Sequence, residues 1–342
     1  MNLKELSQQL KLSPTTVSRA LNGYPEVNES TRKRVAAAAA KYKYKPNARA
    51  QTLATGKSMS IGHIISMANQ TELTNMVFSD FVAGTGLIYA EHGYTMALRI
   101  VPDHEELAAY RSLSARGTVD GVIVQAPAQN DPRIDCLLEL EIPFVVHGRV
   151  SHVAAPYAWL DVNNTRAIER ATQHLINLGH SRIALINGRE TLDFAARRRL
   201  GFQQALAGAQ IDIDPDLMHS GDMSEPNGFE AASALLNLPK PPTAIVASSI
   251  LLALGVKRAV EDRGLRLGHD LSVICFDDDI SYLPNAGPTP QFTAMRSSVR
   301  AAGVRCASML IDRIANPKAP PPQELWEAEL IEGRSTGPAP RR

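Results

Sequence analysis

Leu3, Leu6 and Leu10 recur at spacings of three and four, so they share one face of a short helix whose other side carries Lys4, Glu5, Gln8 and Gln9. A turn at Lys11-Leu12 leads to Ser13-Pro14, a serine cap followed by proline at the first helical position, and predicts a second helix over 14–21. Val17, Ala20 and Leu21 give this helix its apolar side, leaving Pro14, Thr15, Thr16, Ser18 and Arg19 to face outward. Asn22-Gly23 is the expected stop. A third helix is expected from Glu29 to about Lys41, capped by Asn28, with Val35 and the alanine run closing a small core. Two short helices joined by a tight turn, the second small and polar at its start, form a helix-turn-helix able to enter a major groove. From Tyr44 to Gly56 a proline-started, glycine-stopped segment of about two turns follows, too short to be helical alone in water.

Beyond residue 60 the pattern changes. Short β-rich runs at 61–65, 95–100, 121–124, 144–146, 183–186, 244–247 and 271–276 alternate with helical stretches, which is the signature of parallel βαβ units. The stretch is long for one sheet, and the loop at His147–Pro156 suggests two lobes. A crossover is expected near Asp161 and a return near Pro288, with the last helix, about 299–314, assigned to the first lobe or the hinge. Ligands of such lobes sit at the carboxyl ends of the strands, in the cleft between.

Charge sharpens the division. Residues 1–58 hold 11 lysines and arginines against three glutamates, a net +8, although the whole chain carries only +1. A basic head on an acidic body suits a phosphate-binding module. Cys136, Cys275 and Cys306 lie far apart without metal-ligand spacing and read as reduced core thiols. With neither an apolar signal region nor a long apolar run, the chain is expected to be cytoplasmic and not membrane-bound. No catalytic constellation stands out, so no enzyme is expected: Gly84-Thr85-Gly86 lacks the third glycine of a dinucleotide loop, and Asp277-Asp278-Asp279 has no second cluster to make a metal site. His180 reads as a helix terminator, its cation near the last carbonyls.

Ser13-Pro14-Thr15-Thr16-Val17-Ser18-Arg19-Ala20-Leu21-Asn22-Gly23, Val27 to Val35 and Tyr44 to Leu53 together resemble the lactose/galactose repressor (LacI/GalR) family of bacterial transcriptional regulators, and the resemblance extends over nearly the whole chain. It leans toward regulators of α-glucoside utilisation. It implies an all-α helix-turn-helix headpiece (1–45), a hinge helix or linker (46–58), an α/β two-lobed periplasmic-binding-protein-like domain with parallel sheets for effector binding and dimerisation (59–334), and a flexible tail (335–342). The implied function is a homodimeric repressor of carbohydrate uptake or catabolism genes, bound to palindromic operator DNA and released by a small sugar, with no cofactor and no metal. A cytoplasmic sugar-binding protein with a vestigial headpiece, or a corepressor-dependent or activating regulator, stays open.

Pro14, Thr15 and Arg19 are the base-contact candidates, with Ser13, Thr16, Asn22, Lys33 and Lys45 for the DNA backbone; Asn47, Arg49 and Leu53 belong to the hinge, where the resemblance implies Leu53 as the apolar wedge. In the effector cleft the resemblance points to Phe78, Arg198 and Asp277, and by position to His147 and Ser249. Arginine and aspartate suit a sugar because each engages two neighbouring hydroxyls, though an interlobe salt bridge would use the same residues. Three departures stand out: Ser249-Ile250 where the family has Asn-Asp, His147-Gly148-Arg149 in place of an aspartate-containing turn, and Lys11 where the headpiece turn has glycine.

Overall fold

A computed structural model describes residues 1–21, 23–42, 44, 56–66, 76–151, 153 and 155–340, which form two compact units, Met1–Met59 and Ser60–Arg342.

In the first unit, α1 (Leu3–Leu10), α2 (Pro14–Leu21) and α3 (Glu29–Lys41) enclose a core of Leu6, Val17, Ala20, Val27, Val35 and Ala39. Local chemistry sets each start. Asn2 and Glu5 form a reciprocal capping box on α1, the Ser13 hydroxyl accepts from the Thr16 amide (3.0 Å), and Asn28 accepts from the Thr31 amide (2.8 Å). Lys11 ends α1 at φ 50°, a left-handed conformation that glycine adopts without cost, so the departure from glycine leaves a strained turn. The expected hinge residues Lys45, Asn47, Arg49 and Leu53 lie outside the described residues, as does Asn22.

The second unit has two six-stranded sheets among its described residues, ordered β11-β5-β4-β3-β1-β2 and β12-β10-β9-β8-β6-β7. The strands of the first sheet are β1 (Ser60–Ser66), β2 (Thr95–Val101), β3 (Gly121–Gln125), β4 (Phe144–His147), β5 (Ala158–Val162) and β11 (Gln323–Trp326). Those of the second are β6 (Ile183–Asn187), β7 (Met218–Ser220), β8 (Ala244–Ala247), β9 (Ser272–Asp277), β10 (Thr293–Arg296) and β12 (Glu329–Ile331). All pairs are parallel except β10 with β12. Around the first sheet lie α4 (Met76–Glu91), α5 (Glu106–Arg116), α6 (Pro132–Glu139) and α11 (Val299–Ala315); α7 (Asn164–Asn177), α8 (Asp193–Gly208), α9 (Glu225–Leu236) and α10 (Ile250–Glu261) belong to the second.

The chain passes between lobes three times: after β5, between β10 and α11, and between β11 and β12. The return expected near Pro288 falls about ten residues later, because Thr293–Arg296 pairs beside β9 before the chain leaves. α11 packs on α4 in the first lobe, and the two backbones nearly touch: a Cβ at Gly84 would lie 2.2 Å from the Arg300 carbonyl oxygen, and one at Gly303 2.2 Å from that of Phe81. Gly84 thus serves helix packing, not phosphate binding.

The tail is not free at 335. Ser335 is fully buried, accepting from the Thr293 amide (2.9 Å) and donating to the Val273 carbonyl (2.6 Å), and the Ala339 amide donates to Leu178. His180 sits beneath this segment against Thr243, Ser272 and the Gly337 carbonyl, and burial lowers its pKa, so it is a neutral anchor and not the cation expected at a helix end.

Candidate functional site

On the headpiece, Ser13, Pro14, Thr15 and Arg19 are exposed along the start and outer face of α2, with Thr16 half-buried beside them. Val17 and Ala20 hold the opposite face in the core, which fixes the outward presentation. The Ser13 hydroxyl is engaged as the helix cap and meets the Thr16 hydroxyl at 2.8 Å. Lys33 is exposed on α3 and pairs with Glu29 at 2.8 Å, an ion pair open to water and easily exchanged for a phosphate. Arg34 is committed elsewhere, donating to the Leu10 carbonyl at 2.8 Å and tying α3 to the end of α1.

Between the lobes of the second unit lies a cavity of about 370 Å³, within the range of small-molecule sites. Of the residues named for the effector cleft, Phe78, His147 and Arg198 line this cavity; Asp277 and Ser249 do not. Asp277 ends β9 facing β10, where its carboxylate accepts from Arg296 Nε (3.1 Å) and the Asp279 amide (2.9 Å). Strand side chains alternate, so Phe276 and Asp278 share the other side and reach the cavity. Ser249 caps α10, accepting from the Leu251 amide at 3.1 Å, and the Ser248 carbonyl just after β8 accepts from Arg198 Nη1.

Arg198 is the hub. Its Nε donates to Asn164 Oδ1 (2.7 Å), and its guanidinium stacks 4.0 Å above Phe276 and 5.0 Å from Phe194. Asn164 Nδ2 donates in turn to Asp161 Oδ1 (3.2 Å), and Asp161 Oδ2 accepts from Arg149 Nε (2.9 Å). The array Arg149–Asp161–Asn164–Arg198 therefore runs from the first lobe through the crossover after β5 into the second. Burial lowers the Arg198 pKa to about 10, opposed by Asp278 and Asp161, so the charge persists. Burial likewise raises Asp278 to about 6 against the pull of Arg198, and Asp161 to about 6 against that of Arg149. The Asp278 carboxylate accepts no hydrogen bond from another described side chain, whereas Asp161 is fully engaged. His147 stacks on Phe81, ring centroids 4.5 Å apart, and burial holds its imidazole neutral with a pKa of about 4.

Asp161, Asn164, Arg149, Phe81, Phe194, Phe276 and Asp278 were missed in the sequence. One signal was available: period-two alternation from Phe276 selects Asp278 over Asp277. Among the described residues no cluster of histidine, cysteine or carboxylates could hold a metal, and Cys136, Cys275 and Cys306 are buried free thiols.

A three-helix headpiece with an exposed polar recognition helix, followed by a two-lobed α/β unit enclosing a polar and aromatic cavity, is the architecture of a DNA-binding transcriptional regulator. Family models agree: "Bacterial regulatory proteins, lacI family" matches residues 2–47, and "Periplasmic binding protein-like domain" matches 172–336. The chain is 46% identical to the HTH-type transcriptional regulator AglR of Rhizobium meliloti (strain 1021) over 100% of its own length and 96% of the relative's. It is 34% identical to RafR of Escherichia coli, covering 81% of this chain and 82% of that one. Among solved structures it is similar to a lac repressor dimer bound to operator and the anti-inducer ONPF, with a TM-score of 0.82 and 26% identity over 98% and 99% of the two chains. A CelR–cellobiose complex matches with a TM-score of 0.72 and 27% identity over 98% and 99%. The chain belongs to the LacI family of bacterial regulatory proteins and is a DNA-binding transcriptional regulator, not an enzyme.

Among the described residues no helix is long and apolar enough to cross a membrane.

Proposed function

We propose that this protein is a homodimeric repressor that binds a two-fold symmetric operator and responds to a neutral sugar of about two rings held in the interlobe cavity. The observation that carries the ligand class is the Arg198–Asp278 pair. A fixed guanidinium on an aromatic face and a carboxylate with no hydrogen bond from another described side chain stand in one cavity with Phe78, Phe81 and Phe194. Such a wall offers forked donors and acceptors for vicinal hydroxyls and aromatic faces for the apolar C–H side of a pyranose. A net-charged ligand would leave either Arg198 or the Asp278–Asp161 pair opposing it. Relatives support the class: a similar solved structure, CelR, is a cellobiose complex, and another LacI-family regulator, from Enterococcus faecium, carries bound ribose.

Operator binding rests on the exposed Pro14, Thr15 and Arg19 of α2, with Ser13, Thr16, Asn22, Lys33 and Lys45 toward phosphates and the segment bearing Asn47, Arg49 and Leu53 as the minor-groove hinge. The dimer follows from the reading of one headpiece per half-site, and the cytoplasm is where such a protein meets its DNA. A thermal-shift screen with maltose, trehalose, sucrose, cellobiose, glucose and hypoxanthine tests the ligand class. One neutral disaccharide should raise the melting temperature with concentration. A shift with hypoxanthine alone would replace the sugar reading with a nucleobase corepressor.

A further inference from the structure

A short piece of chain from each lobe pairs across the cavity. Gln129 N–H donates to the Thr191 carbonyl (3.1 Å) and Asp193 N–H to the Pro127 carbonyl (2.9 Å), so that Ala128 and Leu192 face each other as an antiparallel bridge. Side chains extend the tie: Gln129 Nε2 donates to the Glu190 carbonyl (2.8 Å), and Ser151 donates from its amide (2.9 Å) and hydroxyl (2.8 Å) to Asp193 Oδ2. Arg197 braces the centre, donating to Asp193 Oδ1 and to the Ser151 hydroxyl (2.9 Å).

Ala126, Pro127 and Leu192 line the cavity, while Gln129, Ser151 and Thr191 are exposed. The paired segments are therefore a wall one strand-pair thick between cavity and solvent. Its first-lobe half departs from β3 through Ala126 at φ 44°, a left-handed conformation that a residue with a side chain adopts only when its surroundings compel it. Gly148, which also lines the cavity, makes room for it: a Cβ there would lie 2.8 Å from Pro127 Cδ.

We propose that Pro127–Gln129 and Thr191–Asp193 form a clasp that ties the two lobes together at the rim of the cavity, so that a ligand enters and leaves only when the clasp parts. The clause about ligand passage rests on the reading of the cavity as a ligand site; the clasp itself does not. Closed by two backbone bonds and a buried carboxylate, it sets both the rate at which the site opens and how much ligand binding must supply to keep it shut.

Amide exchange on the ligand-free full-length protein tests the clasp. The Gln129 and Asp193 amides should exchange slowly in the wild type, and the Gln129→Ala/Ser151→Ala variant should speed Asp193 about tenfold or more while β6 and β8 amides stay unchanged. Fast exchange of both amides in the wild type, or no change in the variant, would overturn it. The second arm uses Ala128→Cys/Leu192→Cys, since facing residues of an antiparallel bridge have the Cα spacing a disulfide needs. With maltose as the probe, the oxidised protein should take up sugar at least 100-fold more slowly than the reduced one. Equal uptake rates would overturn gating. If the reduced protein takes up no maltose, maltose is not its ligand and the exchange arm alone decides the clasp.

Discussion

Asp277 and Asp278 are adjacent acids with opposite duties. Asp277 is bonded to Arg296 and the Asp279 amide, so Asp277→Ala should lower stability by about 1–3 kcal/mol by removing the carboxylate that both of them donate to, with the effector response retained. Asp278→Asn should do the reverse: effector affinity falls about tenfold or more while operator affinity without effector holds. Calorimetric unfolding and effector titration of the two variants separate the roles, and exchanged outcomes would return the ligand contact to Asp277. The pH dependence has a definite sign. Asp278 has a folded pKa of about 6, above the ordinary value of 3.8, so its charged form is costly above pH 6 and the proton is held more tightly below it. Sugar hydroxyls need the ionised carboxylate as acceptor, so effector affinity should be flat from pH 8 to 7 and fall as pH drops through about 6; isothermal titration across that range checks it. His147, neutral with a pKa of about 4, should contribute nothing to that fall. On the headpiece, Arg19→Ala should cost about 1–3 kcal/mol on the preferred operator and less on altered half-sites. Uniform weakening across all sequences would make Arg19 a phosphate contact.

Helices and strands were legible in the sequence to the degree that their signals are local. The headpiece helices stand where Ser13-Pro14, Asn28 and the leucine spacing put them, because caps and periodicity act within a turn or two. The buried strands β1, β3, β4, β6, β8 and β9 were visible as apolar runs, being covered on both faces. By contrast β7, β11 and β12 are three or four residues long, and β11, reading Gln323-Glu324-Leu325-Trp326, becomes a strand through its partner β5. The third lobe crossing was invisible for the same reason. The cleft was half legible: Phe78, His147 and Arg198 lie in it, while Asn164 and Arg149 owe their places to Asp161, a contact no local pattern encodes. At this scale Gly303→Val should destabilise the second unit by about 3 kcal/mol, since its side chain meets the Phe81 carbonyl and forces α4 and α11 apart. Thermal unfolding would show it, and an unchanged transition would mean that the helix pair can slide.

For the molecule as a whole, the cavity and the headpiece lie in different units of one chain, and regulation requires a free-energy coupling between them. A ligand bound in the interlobe cavity shifts the operator-binding equilibrium only by the difference in its affinity for the two states, and the operator shifts the ligand by the same factor. The array Arg149–Asp161–Asn164–Arg198 spans both lobes, so a ligand that engaged Arg198 and Asp278, as proposed, would bear directly on how the lobes are held. The most direct measurement is the dissociation constant of the full-length protein for a two-fold symmetric operator, at fixed salt, with and without a saturating amount of the sugar selected by thermal shift, in wild type and in Asp278→Asn. The account predicts a change of roughly 5- to 150-fold in the wild type, the same factor in sugar affinity when operator is added first, and, in the variant, the same change reached only at a sugar concentration about tenfold or more higher. Operator affinity unmoved by saturating sugar in the wild type would contradict it.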